Sequence, residues 1–206
     1  GQNIKKALNL VDLKKIVEYQ PVTDAEWRAR DLWLFSYLCN GANIKDIARM
    51  KYGNIDENKI SFVRAKTEGS TKQNLKPILV ILLPEIKEII ERWGIESNSR
   101  EDFVFGILDK KDDSEREMAK VRQATKTINK YMKRIAIKLS IDINITTYTA
   151  RHSFATVLKR SGASTEFISE SLGHKDLRTT ENYLDSFEDK VKESLQKRLL
   201  DFSNMD

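Results

Sequence analysis

Of the residue types that punctuate or cross-link a chain, these 206 residues hold little: one cysteine, three prolines and eight glycines, with only two histidines. A single thiol, Cys39, cannot close an intrachain disulfide, which fits a reducing compartment and, with no signal-peptide pattern, predicts a cytoplasmic protein. So few prolines and glycines point to long helices with few sharp turns. The longest uninterrupted apolar run, Ile78 to Leu83, is far short of a membrane span. Clustered Cys, His and carboxylate ligands are missing, as is a Walker-type phosphate loop, so the sequence offers no metal or nucleotide cofactor site. What is present is 40% hydrophobic residues, enough for a sizeable core, and a net charge of +5, a modest bias toward anionic partners.

Periodicity predicts a mostly α fold with a small antiparallel β-sheet. Residues 1–20 read as an amphipathic segment on Leu8, Leu10, Leu13, Ile16 and Val17, before Pro21. A strong helix starts at Asp24 and ends by Gly41, and a second begins with Ile44, Ile47 and Ala48. Between Lys59 and Leu83 the period shortens, which predicts two strands, about 59–67 and 76–83, joined by a polar loop. Pro84 opens a helix on Ile86, Ile89, Ile90 and Trp93. Ser114 and Glu117 match a capping box before a long stripe of Met118, Val121, Thr125, Ile128, Met132, Ile135 and Leu139. Another face of that helix carries Arg122, Lys126, Lys130 and Lys133, a solvated face on the plain reading and a phosphate-facing one on the functional reading. Phe187, Val191, Leu195 and Leu199 line a last helix, about 187–200, suited to packing on its own domain or on a neighbour.

Chemistry concentrates between Tyr148 and Tyr183. The run Y-T-A-R-H-S-F-A-T-V-L-K-R-S-G predicts a helix with Phe154, Ala155 and Leu158 on its apolar side and Arg151 and His152 in its first turn, where backbone N–H groups favour an anion. The run S-L-G-H-K-D-L-R-T-T-E-N-Y follows. Gly173 stops a short helix of Phe167, Ile168 and Leu172 and presents His174; Lys175 and Arg178 lie in a polar turn, and Thr179 or Thr180 caps a final turn bearing Tyr183. Each residue alone has a plain structural explanation. Their joint order does not, with Tyr183 nine residues beyond His174.

This order and spacing resemble the tyrosine recombinase (phage integrase) family over about residues 22–200. The resemblance implies that residues 22–206 form the family's catalytic domain. It also implies that residues 1–21 are an entry segment from an N-terminal core-binding domain lying before Gly1. Arg151 then matches the family's second arginine, His174 its third-box histidine and Tyr183 its nucleophile. Lys66, followed by Thr67, matches the lysine at the sheet. Tyr148 stands where a histidine is most common. In N-G-A-N-I-K-D-I-A-R-M-K-Y-G-N-I-D, residues Gly41, Asp46, Ile47, Met50, Tyr52 and Ile55 keep the family's scaffold, but Asn43 occupies the first-arginine position. Lys45 or Arg49 is a candidate to supply the missing cation.

The activity so implied is site-specific strand exchange on double-stranded DNA, as in a mobile-element integrase, through a covalent 3′-phosphotyrosine. Neither metal nor ATP takes part, and four copies assemble through their tails. Arg151 and His174 clamp the phosphate, Lys66 protonates the leaving 5′-oxygen, and His152, Lys175, Arg178, Lys126 and Lys130 are candidate DNA contacts. Rival readings are a type IB topoisomerase-like relaxing enzyme and a non-catalytic DNA-binding regulator that kept the fold.

Overall fold

A computed structural model describes residues 7–65, 76–174 and 177–181. Helix α2 (Asp24–Leu38) is the axis of the core. Ala29, Leu32, Trp33, Leu34 and Phe35 are all buried, so the helix is covered on nearly every side. Its N-cap is Thr23, whose hydroxyl accepts the Glu26 N–H. Ahead of it, α1 (Leu10–Glu18) turns Leu13 and Ile16 into the same core, with Leu8 just before it, while Leu10 and Val17 face outward. The entry segment is thus also part of the packed body.

After α2 the chain turns through Asn40 and Gly41, both at positive φ, into the short α3 (Ile44–Ala48). Strands β1 (Lys59–Phe62) and β2 (Ile78–Ile81) pair antiparallel, from Lys59 opposite Ile81 to Phe62 opposite Ile78. The unbroken apolar run at β2 still alternates: Ile78 and Val80 enter the core, and Leu79 and Ile81 point out. Helix α4 (Pro84–Trp93) buries Ile86 and Ile89.

Helix α5 (Ser114–Lys138) packs along α2 through Ile128, Met132, Ile135 and Ala136. Two expectations are corrected here. The N-cap is Asp113, whose carboxylate accepts the Arg116 N–H at 2.8 Å, so Ser114 is already inside the helix. Aspartate caps as well as serine and stands one residue earlier. Glu117, released from capping, reaches α3 instead. Met118 lies outside the core, because the first turns of α5 overhang it.

Helix α6 (Thr147–Arg160) starts behind Thr146, which forms a reciprocal cap with Thr149. Arg151 therefore sits in the second turn, not the first, and the anion-attracting N–H groups of the helix end are not what surrounds it. Helix α7 (Thr165–Ser171) docks on α6 through a small second core of Ala155, Ile168 and Leu172, flanked by Phe154 and Leu158. Burying two such aliphatic side chains is worth roughly 3–6 kcal/mol, which fixes the turn that follows. The last described element is α8 (Leu177–Glu181).

Candidate active site

Arg151 is the centre. It is a large side chain only 2% exposed, reached from α6 and surrounded by the α2–α3 turn and the end of α7. Its Nη1 donates to the Gly41 carbonyl at 2.9 Å and its Nη2 to the Leu172 carbonyl at 2.8 Å. Nη2 also lies 2.9 Å from Nε2 of His174. A guanidinium only donates, so Nε2 is the acceptor there and the ring proton resides on Nδ1. That atom meets the hydroxyl of Thr180 at 2.9 Å. Thr180, fully buried within α8, is the brace of His174 and not a helix cap as expected from the sequence.

The turn that presents His174 depends on Gly173 at φ +63°. A Cβ there would stand 2.7 Å from Cδ1 of Ile78 and 3.0 Å from Cδ of Arg64. Arg64, just beyond β1, crosses this bare turn and places Nη1 3.3 Å from the Leu172 carbonyl and 3.5 Å from that of Gly173. Two guanidinium groups thus address one carbonyl oxygen beside an imidazole. Sequence reasoning passed over Arg64; the available signal was its position two residues before Lys66, which in an extended run is the same face.

Asn43 takes the N-cap of α3 in a reciprocal box with Asp46. Asp46 is buried and accepts twice, from the Asn43 N–H at 3.3 Å and from the Ala65 N–H at 2.7 Å. It ties the first-arginine loop to the segment that leads into Lys66. The two proposed substitutes both pair with the Glu117 carboxylate of α5, Lys45 at 3.4 Å and Arg49 at 3.1 Å.

Asn43 and Tyr148 line one hollow of about 250 Å³, together with Lys45, Val121, Thr125 and Thr147. Tyr148 is half exposed, and its ring meets His152 edge-on at 4.5 Å. His152 is buried, with the Tyr148 ring against it. Arg178, Lys126 and Lys130 are exposed, on α8 and α5. Lys66, Lys175, Tyr183 and the tail stripe of Phe187, Val191, Leu195 and Leu199 lie outside the described residues.

The arrangement has the chemistry of an anion site: charged donors converge on backbone carbonyls beside an imidazole. The phage integrase family model matches residues 7–190. Tyrosine recombinase XerA of Thermococcus onnurineus (strain NA1) is 26% identical over 183 residues, covering 88% of this chain and 58% of that protein. Tyrosine recombinase XerD of Listeria innocua serovar 6a is 27% identical over 187 residues, covering 89% and 59%. The chain therefore spans about three-fifths of the length of these relatives. Among solved structures, the XerA recombinase crystal structure superposes with a TM-score of 0.61 at 20% identity, covering 93% of this chain and 62% of that one. XerH bound to a palindromic difH substrate, a post-cleavage complex, gives 0.64 at 18%, covering 95% and 53%. The fold is that of tyrosine recombinase catalytic domains, and the chain belongs to the phage integrase family.

Proposed function

We propose that this chain is the catalytic domain of a site-specific DNA recombinase that cleaves and rejoins double-stranded DNA through a covalent phosphotyrosine. In the cleavage step the Tyr183 phenol oxygen attacks the scissile phosphorus and gives its proton to water, from which Lys66 later regains the one it donates. The bond to the 5′-oxygen breaks, and that oxygen takes a proton from Lys66. A 3′-phosphotyrosine and a free 5′-hydroxyl remain. A 5′-hydroxyl from a second duplex reverses the step, so the phosphodiester bond energy is conserved and ATP is not consumed.

Charge on the non-bridging oxygens grows in the pentacoordinate transition state, and preformed donors are the largest source of acceleration. The observation that carries the reading is the buried Arg151 guanidinium, converging with His174 on the turn after α7. With Nδ1 engaged by Thr180, Nε2 is the ring atom left to face the phosphate, and it donates there once the ring carries its second proton. Tyr148 hydrogen-bonds a phosphate oxygen through its phenol O–H, with the His152 ring packed against its own. Lys175, Arg178, Lys126 and Lys130 contact the DNA backbone. A mobile-element origin and assembly of four copies on DNA through the tail complete the proposal.

The test is a nicked suicide duplex incubated with the full-length protein. A covalent protein–DNA adduct is expected, and Tyr183→Phe should abolish it with DNA binding intact. An adduct that persists in the Phe variant overturns the nucleophile. Intact binding with no adduct at all favours the non-catalytic regulator.

A further inference from the structure

We infer that Arg64 supplies the second guanidinium of the phosphate site, in the role left open by Asn43; the inference rests on the recombinase reading above. The transition state carries charge on two non-bridging oxygens, and Arg151 and one imidazole cover only part of it. Asn43 is uncharged, short and engaged at the N-cap of α3. Lys45 and Arg49 share the Glu117 carboxylate on the neighbouring helix. Arg64 is a further cation that reaches the His174 turn.

Three observations support this. Arg64 and Arg151 address the same Leu172 oxygen, so the separation of their terminal nitrogens is bounded by two bond lengths. Two cations at one neutral carbonyl repel each other, and an anion between them turns that repulsion into attraction. Next, the Arg64 contacts of 3.3 and 3.5 Å are longer than a good N–H···O bond, whereas the Arg151 contacts are not. Those two contacts are weak ones to exchange for short bonds to phosphate. Finally, Gly173 leaves space for the Arg64 stem, whose Cδ a side chain there would press at 3.0 Å. Asp46 anchors the backbone one residue on, at Ala65.

The experiment compares single-turnover cleavage by the full-length protein and its Arg64→Ala, Arg64→Lys and Asn43→Ala variants. Two suicide duplexes are used, one with an ordinary scissile phosphodiester and one with a methylphosphonate there, which lacks the charge a guanidinium would neutralise. Arg64→Ala should cut the ordinary duplex about 10²–10³-fold more slowly, with DNA affinity retained, and the defect should shrink at least about tenfold on the neutral duplex. Arg64→Lys should recover part of the loss, and any defect of Asn43→Ala, which removes the N-cap of α3, should be the same on both duplexes. An equal defect on both duplexes makes Arg64 a brace for the turn and overturns the inference, as does an undiminished rate in Arg64→Ala. If the unsubstituted protein forms no adduct on either duplex, the recombinase reading fails first and this inference with it. A loss confined to Asn43→Ala overturns the inference alone.

Discussion

A methyl group built on Gly41 would stand 2.9 Å from both Cα and Cγ of Arg151, at a backbone φ of +64°. Gly41→Ala must therefore strain the turn and push Arg151 off its carbonyl. The expected cost is about 1–3 kcal/mol in urea unfolding, with cleavage slowed further. Thr180 acts on the other side of the site. Thr180→Val keeps the shape but removes the partner of Nδ1, so single-turnover cleavage should fall about tenfold, while Thr180→Ser should stay near the original rate. At this scale Arg151 and His174 were legible because order and spacing marked them jointly. Thr180 was read as a cap because its hydroxyl suits that role locally, and its real partner is six residues back through a turn. Arg64 was invisible for a similar reason: its neighbours are distant in sequence and met only across the Gly173 turn.

Between elements, buried acceptors decide the layout. Asp46 satisfies one N–H from the α3 cap and one from the end of the β1 segment. Asp46→Asn leaves a single acceptor oxygen and adds a donor facing a donor. It should cost about 1–3 kcal/mol, and amide exchange at Ala65 should quicken measurably. The helices and the hairpin were readable from apolar spacing, but β1 ends at Phe62 where a strand to about residue 67 is expected, the last two of those residues lying outside the described ones. Capping was less readable. Asp113 and Ser114 are both good caps in adjacent positions, and the choice was settled by Glu117, which is drawn to Lys45 and Arg49 across α3. Local pattern could not contain that tertiary pairing.

For the molecule as a whole, the α1–α2–α5 junction is pinned by a buried carboxylate. Glu26 accepts from the Lys138 ammonium at 2.7 Å and from the Tyr19 hydroxyl and Val22 N–H at 3.0 Å each. Burial pulls its pKa upward, but these three donors outweigh burial and hold the carboxyl below its usual range. A folded value below the unfolded one means stabilisation that is full at neutral pH and is lost as pH falls through the folded value. Glu26→Gln should lower stability by about 1–3 kcal/mol at pH 7, and the gap to the unsubstituted protein should narrow as pH falls below the ordinary carboxylate range. The exposed lysines of α5 set a second whole-molecule property. If Lys126 and Lys130 each neutralise one DNA phosphate, replacing both with alanine should flatten the log–log salt dependence of binding by about 0.9 per contact.

The most direct measurement digests the trapped protein–DNA adduct with nuclease and trypsin and weighs the peptide Thr179–Lys190. The expected result is that peptide carrying a nucleotide remnant, with fragmentation placing the phosphate on Tyr183. Finding it unmodified while the nucleotide sits on another residue would contradict the phosphotyrosine chemistry proposed for this fold.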